Sequence, residues 1–340
     1  MYESFFRLSG SPFQLNPDPT FFFGSKGHRK AHAYLQYGVY QREGFIVITG
    51  EVGAGKTTLV RALLRELDPS TVVAAQLVST QLEADDLLRA VAIAFGLPVK
   101  DAGKAELLAG IEAFLTSLVP QKRRALLVVD EAQNLSPSAM EELRMLSNFQ
   151  IGDQALLQSF LIGQPQLRDL MRSPSMQQLR QRIIASDHLG PMEPEETRAY
   201  IEHRLRQVGW KEDPSFEPQA FAALHEATGG IPRRINSLCN RLLLGAYLAQ
   251  AHEITAAAVQ RALDEIREEV GTEEPVLALR PAPLPADMDR PGGVVRPFAF
   301  SAIAARLDRL EQSVNTMLEL VRGLAAPERR HRANAKTGRG

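Results

Sequence analysis

The run Gly50-Glu51-Val52-Gly53-Ala54-Gly55-Lys56-Thr57 satisfies the pattern G-x-x-x-x-G-K-[ST] at every fixed position. Glycines at those points let the backbone curl until several N–H groups face one concavity, which suits phosphate oxygens. Lys56 then sets its charge against the β- and γ-phosphates, and the Thr57 hydroxyl holds Mg²⁺. Farther along, Leu126-Leu127-Val128-Val129-Asp130-Glu131 is an apolar run that ends in two carboxylates. Asp130 suits Mg²⁺, directly or through water, because that ion prefers hard oxygens and keeps much of its hydration. Glu131 is expected to orient or deprotonate the water that attacks the γ-phosphate in line. Gln164 closes another apolar run, Phe160-Leu161-Ile162-Gly163. It is a candidate for hydrogen bonding to that water or to the γ-phosphate, with a plain turn residue as the alternative. The expected chemistry is ATP hydrolysis with Mg²⁺, and residues Gly50 to Thr58 are the expected nucleotide cradle.

Two arginine sites extend this set. Leu179-Arg180-Gln181-Arg182-Ile183 precedes an apolar run, so an arginine there is placed to face a neighbouring subunit's nucleotide. Such a residue neutralises charge in the transition state and is worth about 10³–10⁵ in rate elsewhere. Arg182 is the first choice and Arg180 the second, with a surface ion pair as the alternative. Thr228-Gly229-Gly230-Ile231-Pro232-Arg233-Arg234 opens a helix. Arg233 is expected to reach over the γ-phosphate, with Arg234 as the competing residue.

The elements that must position these groups alternate along the chain. Strand-like apolar runs cover 45–49, 71–78, 124–130, 155–163 and 183–189, with helical patterns at 57–67, 83–95, 104–118, 137–147 and 165–171. Alternation of this kind implies a parallel sheet covered on both faces, and near-continuous apolar strands fit burial on both sides. Residues 1–44 form an N-terminal segment, with Phe21-Phe22-Phe23 after a proline-rich turn and a helix over about 26–42. Tyr34, Tyr37 and Tyr40 on that helix are expected to pack on the core; shaping the adenine cleft is the alternative. Residues 45–190 are the α/β core. Residues 191–270 read as helices only, a small lid with helices from about Glu193, over 217–227, from Pro232 and over 255–268.

Residues 271–300 carry Pro275, Pro281, Pro283, Pro285, Pro291 and Pro297 and read as a flexible linker. In 301–326, Ile303, Leu307, Leu310, Val314, Met317, Val321 and Leu324 mark a heptad seam. So short a seam needs a partner or a docking face, and self-association or partner binding is favoured over docking back onto its own domain. Residues 327–340 form a basic tail. Overall charge is balanced, with 39 Lys and Arg against 40 Asp and Glu, which argues against a nucleic-acid coat protein. Cys239 is the only cysteine, so no internal disulfide can form and a cytoplasmic setting is expected. No run approaches the ~20 apolar residues that span a bilayer, and the N-terminus lacks the pattern of a secretion signal.

Phosphate loop, Asp-Glu strand end, polar strand end, arginine before the last strand and Gly-Ile-Pro-Arg on a helical lid together resemble an AAA+ ATPase. The resemblance implies a five-stranded parallel sheet with a C-terminal helical lid. Within that superfamily the chain resembles the general secretion pathway protein A type, and most of all the secretion ATPases associated with exosortase and PEP-CTERM systems. Pro12-Phe13-Gln14-Leu15-Asn16-Pro17-Asp18-Pro19, Tyr37-Gly38, Gly44-Phe45, Gly50 to Thr58, Asp130-Glu131-Ala132-Gln133-Asn134-Leu135 and Gly229 to Asn236 carry it, over about residues 1–270. It implies a homo-oligomer with protein partners in a membrane-associated secretion or exopolysaccharide-export assembly, peripheral at the inner membrane. The first group is expected to carry a transmembrane helix and a peptidoglycan-binding domain after the ATPase, where this sequence has the proline-rich linker and heptad seam. Two other readings stay open: a DNA-dependent AAA+ adaptor of the transposition-accessory type, using Arg198, Arg204, Arg206 and Lys211, and a slow nucleotide-controlled scaffold.

Overall fold

The computed structural model describes residues 1–41, 43–78 and 82–270, all within one compact unit. The expected linker, heptad seam and basic tail lie outside the described residues.

Helix α1 (Lys26–Gln41) buries His28, Ala31, Leu35 and Gly38, which share one face at helical spacing. Strand β1 (Phe45–Gly50) follows and is buried along its whole length. Then come α2 (Lys56–Glu66), β2 (Val72–Val78), α3 (Ala84–Ala94), α4 (Lys104–Leu118), β3 (Arg124–Asp130), α5 (Pro137–Leu146), β4 (Leu157–Gly163), α6 (Gln166–Arg172) and β5 (Ile183–Leu189). The five strands make one parallel sheet in the order β2-β3-β4-β1-β5. One apolar cluster covers one face, with Val47, Leu127, Val129 and Leu161 from the strands. A second cluster covers the other, with Ile46, Ile48, Leu126, Val128, Phe160 and Ile162. Alternate residues of each central strand therefore serve opposite layers, which is why these strands are apolar along most of their length.

Helices α7 (Pro194–Gln207), α8 (Pro218–Thr228), α9 (Pro232–Leu248) and α10 (Ala256–Val270) form the lid. The helices-only expectation after Gly190 needs correction: Ser215–Phe216 and Glu253–Ile254 pair as short parallel strands that tie the α7–α8 and α9–α10 connections together. A second small addition is the antiparallel pair Gln150–Ile151 and Gln154–Ala155, so β4 starts at Leu157 rather than at 155. Both pairs are two residues long, too short to leave a period-2 signature in the sequence. The N-terminal residues Tyr2, Phe6, Leu8 and Phe13 pack into the lid's core beside Tyr200, Leu205, Leu238 and Leu242. Cys239 is buried in the same core, and burial pushes its thiol pKa up, so it acts as a small apolar residue there.

Candidate active site

Strand register alone brings the expected groups together. In β1 against β4, Thr49 lies opposite Gly163, and in β3 against β4, Val129 lies opposite Leu161. Gly50, Asp130 and Gln164 therefore emerge at one edge of the sheet, the carboxyl ends of three adjacent strands, where ligands of open α/β sheets gather. The chain leaves β1 at Gly50, turns through Gly53 and Gly55 at φ +84° and +95°, and enters α2 at Lys56. A Cβ on Gly53 would lie 2.4 Å from the Cβ of Arg233 on α9, so the loop and the lid meet where only glycine leaves room. The Arg233 backbone N–H donates to Gly53 O at 3.1 Å across that contact.

Lys56 is buried, and its Nζ donates to Gly50 O at 2.7 Å and Glu51 O at 2.9 Å. Burial holds its pKa below the ordinary lysine value, against the opposing pull of the Glu131, Asp130 and Glu51 charges. Thr57 Oγ1 donates to Asp130 Oδ2 at 2.9 Å, so the hydroxyl and the buried carboxylate occupy one point beside the loop. Glu131 follows at φ +54°, a left-handed conformation that turns its side chain out of the strand into the cleft. Its backbone N–H caps Asp130 Oδ1 at 3.0 Å. Its own Oε2 accepts from Gln133 Nε2 at 2.6 Å and Gln164 Nε2 at 3.0 Å. Partial burial alone would raise the Glu131 pKa, yet these two amide donors and the Lys56 charge outweigh it, and the carboxyl titrates below its usual range. Gln164 meets Glu131 through its side-chain NH₂.

The cleft of which these groups form one wall is closed by the N-terminal segment and the lid. Gln14 to Asp18, Phe21, Phe22 and Phe23 line it opposite Val52, Gly53, Gly55, Thr57 and Thr58, with Tyr200, Arg204, Arg233 and Asn236 from the lid. The aromatic residues at the cleft are therefore the three phenylalanines and Tyr200. Tyr37 and Tyr40 are 44% and 79% exposed, so the expectation that they pack on the core is corrected; they follow the outer face of α1. Arg204 is buried and holds the segment in place. It donates to Pro12 O at 2.6 Å, Gln14 O at 3.4 Å and Tyr200 Oη at 2.9 Å, and it stacks on Phe21 at 4.6 Å.

His28 escapes the sequence reading because its partners are distant in the chain. Its Nε2 lies 3.1 Å from Ala54 O and its Nδ1 2.7 Å from Ser25 Oγ. A carbonyl can only accept, so Nε2 carries a proton, and in the neutral ring that burial favours Nδ1 then accepts from Ser25 Oγ. The neutral ring thereby props the phosphate loop from below, and desolvation lowers its pKa to about 4. Gln133 escapes in part for the same reason, since its second partner Gln164 is distant in the chain; only its place in Asp-Glu-Ala-Gln hinted at it.

Arg182 and Arg180 lie outside the cleft. Arg182 donates to Ser147 O and Ser147 Oγ, both at 2.9 Å, and Arg180 donates to Met171 O at 2.7 Å and Ser173 O at 2.9 Å. On α7, Glu202 accepts from Arg198 at 2.8 Å and Arg206 at 2.6 Å. Arg204 is buried, so of the basic stripe expected for nucleic acid Arg198 and Arg206 are engaged with one shared carboxylate and Arg204 is withdrawn from the surface.

Residues 39–171 match the AAA domain family. The chain has the P-loop AAA fold. General secretion pathway protein A of Aeromonas hydrophila is 40% identical over 267 residues, 78% of this chain and 48% of that protein. The chain thus spans about half the length of that curated relative. Among solved structures, the ORC2 protein of Aeropyrum pernix in its ADPNP–ADP complexes superposes with a TM-score of 0.54 at 19% identity, over 71% of this chain and 67% of that one. Cdc6p of Pyrobaculum aerophilum does so with a TM-score of 0.54 at 17% identity, over 70% and 66%. The AAA core of this chain and its helical lid share that architecture.

Proposed function

We propose that this protein binds ATP with Mg²⁺ and hydrolyses it, and that the cycle drives or regulates a membrane-associated secretion or export assembly. The observation that carries the first part is the Thr57–Asp130 hydrogen bond of 2.9 Å beside the glycine loop. It sets two hard-oxygen groups beside the glycine loop and the start of α2, a donor set that fits Mg²⁺ held jointly with phosphates. Bound Mg²⁺ supplies positive charge against the phosphate oxygens. Lys56 supplies more from the loop, and loop N–H groups at the start of α2 orient the phosphate chain. Glu131 orients and polarises the attacking water, held in turn by Gln133 and Gln164. The phenylalanines and Tyr200 supply aromatic surface to the wall of the cleft.

The secretion reading is supported by the 40% identity to General secretion pathway protein A, over about half of that protein. The narrower reading, exopolysaccharide export linked to exosortase and PEP-CTERM systems at the inner membrane, rests on the proline-rich linker and heptad pattern that follow the ATPase in the sequence, while the Pro12–Pro19 stretch and the Asp-Glu-Ala-Gln strand end narrow the subfamily. Self-assembly into an oligomer in which Arg182 serves a neighbour's nucleotide belongs to the same proposal, with Arg233 sensing the γ-phosphate from the lid. For that role Arg182 has to leave Ser147. The shared Glu202 and the burial of Arg204 speak against the DNA-adaptor reading. Purified protein given Mg·ATP should release phosphate, and Lys56→Ala should not. Equal rates from the two proteins would overturn the enzyme reading.

A further inference from the structure

The side-chain amide of Gln133 is used at both ends. Its Oε1 accepts the backbone N–H of Gln164 at 3.0 Å, and its Nε2 donates to Glu131 Oε2 at 2.6 Å. The backbone N–H can only donate, so it fixes which end of the amide is oxygen and turns the NH₂ toward the carboxylate. The short helical turn Ala132–Asn134 holds Gln133 just past Glu131. Space is reserved for it as well: a Cβ on Gly163 would lie 2.7 Å from Gln133 Oε1. Gln164 Nε2 converges on the same Glu131 oxygen at 3.0 Å. Among the described residues no donor engages Glu131 Oε1.

We propose that Gln133 is a positioning residue for ATP hydrolysis: it anchors the Glu131 carboxylate by Oε2, together with Gln164, so that Oε1 is the oxygen offered to the attacking water. This rests on the hydrolysis reading above. Gln133 ties the tips of β3 and β4 into one unit, so the aim of Glu131 is set before substrate arrives. A misplacement near 1 Å can cost about a hundredfold in rate, so this kind of support matters to turnover more than to binding.

The test uses Gln133→Met, which keeps length and volume without the amide. With Mg·ATP its kcat should fall by about tenfold or more, while its Kd for ATP stays at the wild-type value; its melting temperature should fall somewhat, because the Gln164 backbone N–H loses its acceptor. In the Glu131→Gln background the same substitution should cause no further loss, because the group it aims is gone. Independently of turnover, in nucleotide-free protein the Gln133 side-chain NH₂ signal in NMR should lie downfield and return to the free-amide position in Glu131→Ala. A wild type that releases no phosphate overturns the hydrolysis reading and this proposal with it. A wild type that hydrolyses while Gln133→Met keeps pace overturns this proposal alone, as does an equal further loss in the Glu131→Gln background or an NH₂ signal indifferent to Glu131.

Discussion

His28 has its two ring nitrogens committed to Ala54 O and Ser25 Oγ, and desolvation in that buried setting favours the neutral ring. Its folded pKa of about 4 lies below the ordinary 6.5. The unfolded chain therefore binds the extra proton first, and stability is full above about pH 6.5 and is lost as pH falls toward 4. The whole window is worth about 3 kcal/mol. Urea unfolding from pH 7.5 to 4 should show that extra decline in wild type and a flatter one in His28→Gln. At this same scale the sequence speaks plainly for Gly50 to Thr57, Asp130 and Glu131, because each motif is local and its spacing carries the chemistry. It is silent on His28 and only suggestive on Gln133, because their partners Ala54 and Gln164 are brought near by the sheet and α1, which no local pattern encodes.

The strands and helices of the core are legible for a related reason. Burial on both faces makes β1, β3 and β4 mostly apolar, with Thr49, Gln158 and Ser159 as buried exceptions, and Pro137, Pro194, Pro218 and Pro232 each sit at a helix start, where a missing N–H costs nothing. The N-terminal segment is harder. Its phenylalanines have no periodicity, and their place at the cleft depends on Arg204, which lies on α7 and gathers Pro12 O, Gln14 O and the Phe21 ring. The periodic tyrosines of α1 drew the sequence reading instead, although Ala31 and Leu35 occupy its inner face. Arg204→Met keeps the apolar stem but leaves those buried carbonyls unpaired. It should lower stability by about 2–3 kcal/mol in denaturant unfolding. Limited proteolysis should cut within residues 10–20 faster than in wild type; unchanged cleavage would separate Arg204 from the segment.

Over the whole molecule, balanced charge and a single buried cysteine restrict the class of protein without identifying its client. No helix among the described residues is long and apolar enough to cross a membrane. Assembly is the property that sequence and fold leave to experiment. If Arg182 serves a neighbour, the Glu131→Gln protein, which should trap ATP, will sediment as a larger particle with Mg·ATP than without nucleotide. Arg182→Ala should weaken that difference. A mass that ignores nucleotide would remove Arg182 from the account and leave the cleft intact. The cleft itself is the central claim, and equilibrium titration of ATP with and without Mg²⁺ tests it most directly. Wild type should bind, more tightly with the metal, and Lys56→Ala should lose at least about tenfold, or about 1.4 kcal/mol. Equal affinity in the two proteins, or no binding by wild type, would contradict it.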